Sequence, residues 1–166
     1  MHGIRGLLTL GVPMAQGGGN PAATFVVTTT GAETLTLYSL GVATGKTVTV
    51  DWGDGSANDY TGTATRTHAY AGAGVWTVTI YSPQHVIKLD LRDSKITMFS
   101  SADIAGMSLT YLVLSISNAT GTFDSADIAG MSLTYLDLYL PNVNGTFDSA
   151  DIAGMSPTYL YLSLQN

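Results

Sequence analysis

Phe99-Ser-Ser-Ala-Asp103-Ile-Ala-Gly-Met107, Phe123-Asp-Ser-Ala-Asp127-Ile-Ala-Gly-Met131 and Phe147-Asp-Ser-Ala-Asp151-Ile-Ala-Gly-Met155 are near-copies of one segment. Each runs on into Thr-Tyr-Leu-x-Leu, and equivalent residues lie 24 apart. A fixed period of this size marks a solenoid, whose coils have no core of their own and bury their apolar edges on one another. Such a chain presents a surface rather than a pocket, which points to a structural or binding protein.

The rest of the composition agrees. In 166 residues only 11% are charged, against the usual ~25% of soluble domains. Gly, Ser, Thr and Ala make up the difference, a balance that suits β-rich extracellular, cell-surface or virion proteins. There is no Cys, so neither disulfides nor thiolate metal sites are available. All six basic residues (Arg5, Lys46, Arg66, Lys88, Arg92, Lys95) and six acids fall in residues 1–95, while residues 96–166 hold six Asp and no Lys or Arg. The repeat half therefore carries the whole charge of −6, which argues against nucleic acid or an anionic membrane as its ligand. No apolar run reaches the ~18 residues of a membrane span, so membrane insertion is not expected.

Residues 1–22 read as an N-terminal arm ending in the Gly-rich linker Gln16-Gly-Gly-Gly-Asn-Pro21. The arm's short apolar core only faintly suggests a signal peptide. Segments 24–30, 34–40, 47–52, 63–70 and 75–81 alternate β-branched and polar residues between turn signals such as Asp54-Gly55, and predict a small β-sandwich. Its inward set is Val48, Val50, Trp52, Trp76, Val78 and Ile80.

Over residues 23–82 three motifs occur in order: Val50-Asp-Trp-Gly-Asp-Gly-Ser56, Thr67-His-Ala-Tyr70 and Gly74-Val-Trp-Thr-Val-Thr-Ile80. Together they resemble the polycystic kidney disease (PKD) domain, with Trp76 where that family usually has Tyr. The resemblance implies an Ig-like sandwich and a non-catalytic spacer or adhesion role. Residues 83–166 resemble leucine-rich repeats. Leu109-x-x-Leu112-x-Leu114 and Leu133-x-x-Leu136-x-Leu138 supply the strand pattern, and Asn118 and Asn142 follow. The coils fall at about 86–108, 109–132 and 133–156, with a partial coil at 157–166. The family usually places Asn three residues after the third Leu; here it stands four after, with Ile116 or Leu140 between. The expected fold is thus mostly β: a small Ig-like, PKD-like β-sandwich followed by a short leucine-rich-repeat solenoid with parallel strands.

In such a solenoid, strands of successive coils stack about 4.8 Å apart. Leu112, Leu136 and Leu160 form one inward column, and Leu114, Leu138 and Leu162 another. Outward columns are Tyr111, Tyr135 and Tyr159; then Val113, Asp137 and Tyr161; then Ser115, Tyr139 and Ser163. The segment around the Asp repeats without change while the outward positions differ, as a recognition face would. Tyr111, Tyr135, Asp137, Tyr139, Tyr159 and Tyr161 are therefore candidates for binding a protein or carbohydrate ligand.

Asp103, Asp127 and Asp151 form a carboxylate column that a calcium ion would relieve of repulsion. The favoured alternative places Ser101, Ser125 and Ser149 as N-caps of short helical turns, with each Asp in the first turn; no cofactor is expected. Asp51, Asp54 and Asp59 lack EF-hand spacing and read as turn residues. His68 reads as a packing or hydrogen-bonding residue. No nucleophile elbow or phosphate loop is present, so an enzyme is not expected. Asn118-Ala-Thr120 and Asn144-Gly-Thr146 are glycosylation sequons in inter-coil turns.

The segment Tyr159-Leu-Tyr-Leu-Ser-Leu-Gln-Asn166 would leave an apolar strand with an open edge. Leu160, Leu162 and Leu164 are accordingly candidate assembly residues, covered by Leu7, Leu8 and Leu10 of a neighbour's arm. Contacts of that kind are head-to-tail and build rings or filaments. The expectation is a non-catalytic, self-associating structural protein; the alternative is a monomeric adhesion module using the tyrosine face.

Overall fold

The computed structural model describes residues 22–165, and the candidate assembly residues Leu7, Leu8 and Leu10 lie outside them. The protein is mostly β, as expected. Its strands are β1 (Ala23–Thr29), β2 (Glu33–Val42), β3 (Val48–Asp51), β4 (Ala57–Tyr60), β5 (Thr63–Tyr70), β6 (Gly74–Tyr81), β7 (Val86–Leu91), β8 (Ile96–Ser100), β9 (Tyr111–Ser115), β10 (Thr120–Asp124), β11 (Tyr135–Thr146) and β12 (Tyr159–Gln165). Short 3-10 turns cover Ser101–Asp103 and Ser125–Ile128, and one α-helical turn, α1, covers Ser149–Ile152. The five strands expected between residues 24 and 81 all form. β4, with the unpatterned sequence Ala-Asn-Asp-Tyr, is held by its pairing to β3 rather than by an apolar face of its own.

The strands form one continuous mixed sheet in the order β4-β3-β6-β1-β8-β10-β11-β9-β7-β2-β5, with β12 on β11. The sheet doubles back through β11. Residues 135–139 of that strand pair in parallel with β9, while residues 144–146 pair in parallel with β10. It therefore curls, and the alternating apolar residues of both arms meet in its hollow. Val27, Val50 and Ile80 from one arm and Leu35, Leu37 and Leu89 from the other belong to one buried cluster, which runs on through Leu112, Leu136 and Leu138. No break in sheet or core falls at residue 82: β2 pairs with β7, and β1 pairs with β8.

The repeat appears directly as strand register, with a step of 23 residues from β7 to β9 and of 24 thereafter. Leu89, Leu112, Leu136 and Leu160 are successive partners across β7, β9, β11 and β12, as are Leu91, Leu114, Leu138 and Leu162. The other arm follows a different step. Ser100 pairs with Thr122 and Thr122 with Asn144, so equivalent residues slip by two along the strand at each coil. That slip seats Gly121 beside Phe99 and Gly145 beside Phe123.

Side chains bridge each coil to the last. Thr134 donates both its N–H (2.8 Å) and its hydroxyl (2.9 Å) to the Thr110 carbonyl, and Thr158 does the same to Thr134. Asn118 Nδ2 donates to the Ser94 carbonyl and Asn142 Nδ2 to the Ser117 carbonyl. The displaced Asn positions thus still tie one coil to the next.

Candidate interaction surfaces: the tyrosine row, the Ser–Asp ladder and the edge of β12

Residues 111, 135 and 159 sit at equivalent places on three neighbouring parallel strands, so their side chains stand in a row. Rings of Tyr111 and Tyr135 stack at 4.5 Å and 17°, and those of Tyr135 and Tyr159 at 4.4 Å and 8°. The Lys88 ammonium lies 5.8 Å from the Tyr111 ring centre at the start of the row. Stacking this close uses up the ring faces, which are the surfaces a sugar would lie on. What the interior of the row offers a partner is ring edges and hydroxyls; a free face is left only at Tyr159.

The adjacent column departs from the expected outward face. Val113 is fully buried and Asp90 nearly so, and Asp137 is half-buried; only Tyr161 is exposed. Beside this column Arg92 grips Asp90 with both Nε (2.7 Å) and Nη2 (2.5 Å), while lying over the Tyr38 ring. This pair holds the guanidinium pKa above its usual value, with hydrogen bonding to Asp90 the leading cause. Burial pushes the Asp137 carboxyl up, partly offset by Arg92. Beside the tyrosine row the charged groups are Lys88, Asp90 and Arg92 on β7 and just past its end, and Asp137 on β11. The sequence held no signal for this, because Arg92 lies outside the repeated pattern. Tyr139 of the third column is exposed, flanked by half-buried Ser115 and Ser163.

The carboxylate column serves the junctions between coils. Asp127 Oδ2 accepts from Ser101 Oγ at 2.5 Å, and Asp151 Oδ2 from Ser125 Oγ at 2.6 Å. Asp103 begins the series and accepts instead from Thr24 of β1 at 3.1 Å; burial raises its pKa and that hydrogen bond partly offsets it. Among the described residues no three His, Cys, Asp or Glu side chains gather as a metal site would require. The expected capping is displaced by one residue. Asp124 and Asp148 cap the turns by accepting from Ala126 and Ala150 N–H, whereas the first turn has no side-chain cap. Ser101 and Ser125 are freed to bridge: each accepts the N–H of Asp124 or Asp148 at 2.8 Å and donates to the next Asp.

A serine so placed cannot be lost cheaply. Ser125→Ala strands a backbone N–H and removes a hydrogen bond to a carboxylate, at a cost of about 2–3 kcal/mol. Ser149→Ala, on an exposed side chain, should change stability by less than ~0.5 kcal/mol. Urea unfolding of the two variants checks the contrast.

Each carboxylate of the Gly-Asp-Gly turn is taken up locally, in keeping with a turn. Asp51 accepts from Gly53 N–H, Asp59 from the Thr49 hydroxyl, and Asp54 from both the N–H and hydroxyl of Ser56. Gly53 and Gly55 have φ of 83° and 90°, which fits the turn to glycine. His68 Nε2 contacts Asp54 Oδ2 at 2.7 Å, and its ring stacks on Trp52 at 4.8 Å and 6°. Desolvation works to raise the Asp54 pKa, but hydrogen bonds from Ser56 and His68 outweigh it and hold it below 3.8. A depressed carboxyl stabilises the fold above its unfolded pKa and loses that contribution as pH falls through the folded value. Asp54→Asn should therefore lower the Tm at pH 7 and converge with the wild type as pH falls through the depressed folded pKa, read from melts across pH 2–7.

Asn118 and Asn144, the two sequon residues, are exposed. No described helix is long and apolar enough to cross a membrane.

β12 pairs with β11 along one edge, and no described strand pairs with its other edge. Leu160 is 46% exposed, although its column partners Leu112 and Leu136 are at 0% and 1%. Tyr159 and Tyr161 are exposed alongside it, while Leu162 and Leu164 are half-buried. No protein-family model, no curated protein and no solved structure matches the chain.

Proposed function

We propose that the chain is a non-catalytic, self-associating structural protein of a cell surface, virion or extracellular fibre. In this reading residues 23–82 are a PKD-like sandwich and residues 83–166 a short leucine-rich solenoid that shares its sheet and core. The supporting observation is the edge of β12. The column that is closed over at Leu112 and Leu136 stands open at Leu160, on a strand whose other edge pairs with no described strand, and such edges pair with further strands. Light scattering on the full chain tests it: a mass well above 17.3 kDa at micromolar concentration is expected, and a stable monomer across that range overturns the reading.

The stacked row of Tyr111, Tyr135 and Tyr159 favours a second reading, a monomeric adhesion module whose partner meets ring edges and hydroxyls. Binding to cells or matrix glycoproteins that Tyr135→Ala abolishes, with the mass unchanged at the monomer value, would support it.

A further inference from the structure

We propose that the stacked tyrosine row is a site of oxidative modification. With hydrogen peroxide and a peroxidase, Tyr135 couples to Tyr111 or to Tyr159 through a carbon–carbon bond, joining neighbouring coils as dityrosine. The proposal depends on neither reading above, since its reacting groups all lie within one chain.

The geometry comes from the strand register. Tyr111, Tyr135 and Tyr159 are direct partners on parallel strands, so their side chains leave the backbone in the same direction. The rings stack with their hydroxyl ends together, and the Tyr135 hydroxyl donates to that of Tyr159. Centroids 4.5 and 4.4 Å apart, at 17° and 8°, bring the carbon beside one hydroxyl against its counterpart on the next ring. Those carbons lie on the ring edges, the part of the row that stacking leaves open. Two reactants held at this range couple as though at very high concentration. Exposed Tyr38, Tyr81, Tyr139 and Tyr161 lack the arrangement: among the described residues no other tyrosine stacks on a tyrosine.

Tyr111 and Tyr135 are protonated at neutral pH, since desolvation pushes the pKa of both phenols up. Each phenol therefore loses its electron together with its hydroxyl proton. Two such losses leave two ring radicals, which join at the carbons ortho to oxygen. The hydrogens on those two carbons then move to the oxygens as protons and restore both hydroxyls. Hydrogen peroxide takes up the two electrons and two protons and leaves as two waters. The bond ties residues 24 apart in the chain, closing a loop across one coil.

The test treats the dilute full chain with peroxidase and hydrogen peroxide. Dityrosine fluorescence should appear while the product runs as one chain on a denaturing gel and its mass falls by two hydrogens. Cleavage before Asp separates the candidates: peptides 103–123, 127–136 and 137–147 hold Tyr111, Tyr135 and Tyr139, and 151–166 holds Tyr159 and Tyr161. Peptide 127–136 should emerge joined to 103–123 or to 151–166, with fragment masses placing the second bond on Tyr159. Tyr135→Phe keeps a ring in the stack and should lose both joined peptides and most of the dityrosine. In urea, where the stack is gone, coupling should spread over the nine tyrosines and between chains. No dityrosine in the folded chain, bonds led by Tyr38, Tyr81, Tyr139 or Tyr161, an undiminished yield in Tyr135→Phe, or the same products in urea would each overturn the inference.

Discussion

Replacing Gly121 by valine is expected to abolish folding or to cost more than ~4 kcal/mol, a large part of the ~5–15 kcal/mol that holds a typical domain. Gly121 has φ of 135°, a region that L side chains rarely adopt. A Cβ built there would lie 1.9 Å from the Phe99 carbonyl oxygen, which is backbone and cannot swing away. Relief would require β10 to part from β8, whose pairing passes through Gly121 and Phe99. That junction links β4, β3, β6, β1 and β8 to the rest of their arm, so the damage is not local. Gly145, the equivalent residue one coil later, provides a built-in control. Its Cβ would meet the Phe123 carbonyl at 2.8 Å without a positive φ, so Gly145→Ala should cost only about 1–2 kcal/mol. Gly31→Ala, with nothing within 4 Å, should be near neutral. Urea unfolding followed by circular dichroism ranks the three; equal losses at 121 and 145 would mean that backbone strain at Gly121 is not what decides.

Gly121 also shows where sequence reading reaches its limit. The repeat is visible in the chain because packing makes each coil face its neighbour in the same way, and the Leu112–Leu136–Leu160 column is the direct consequence. The slip of the second arm is set by how β8, β10 and β11 share backbone hydrogen bonds, and backbone pairing leaves no side-chain signature at a 22-residue spacing. For the same reason Ser101 and Ser125 suggested N-caps. A cap needs only local sequence, whereas the bridge to Asp127 or Asp151 exists only after the coils have stacked. The tyrosine row was legible as a row. Its stacked rings, and the burial of Val113, were not, since both depend on neighbours across strands. The continuity of the sheet across residue 82 was hidden too. It depends on β1 and β2 reaching β8 and β7, contacts 44 to 72 residues away in the chain that no local pattern announces.

Trp52→Ala should be the most costly substitution in the antiparallel half, at about 3–5 kcal/mol for loss of a fully buried indole. The ring is stacked on His68, meets Tyr60 edge-on at 6.4 Å, and donates through Nε1 to Asn58 Oδ1 at 2.8 Å. Its backbone carbonyl accepts the Tyr70 hydroxyl, and Tyr70 in turn stacks on Trp76 at 5.1 Å. Truncation therefore opens a cavity, removes the bond to Asn58 Oδ1 and leaves the stacked face of His68 without its ring partner. Trp52→Phe refills most of the volume and should recover all but about 1–2 kcal/mol, the cost of the unmade Nε1 bond and the smaller ring. Trp76 is only partly buried, so Trp76→Ala should cost clearly less than Trp52→Ala. Trp76 is also the one tryptophan left in the Trp52 variants, and its fluorescence reports on the antiparallel half alone. Followed together with far-ultraviolet circular dichroism, which senses all strands, it tests how far the damage travels. One sheet and one apolar cluster join the two halves, so both probes should fall in a single transition at lower urea. If the fluorescence change moved to lower urea while a second dichroism step stayed in place, residues 83–166 would hold their fold without the antiparallel half, and the shared core would be a contact between two bodies rather than the centre of one.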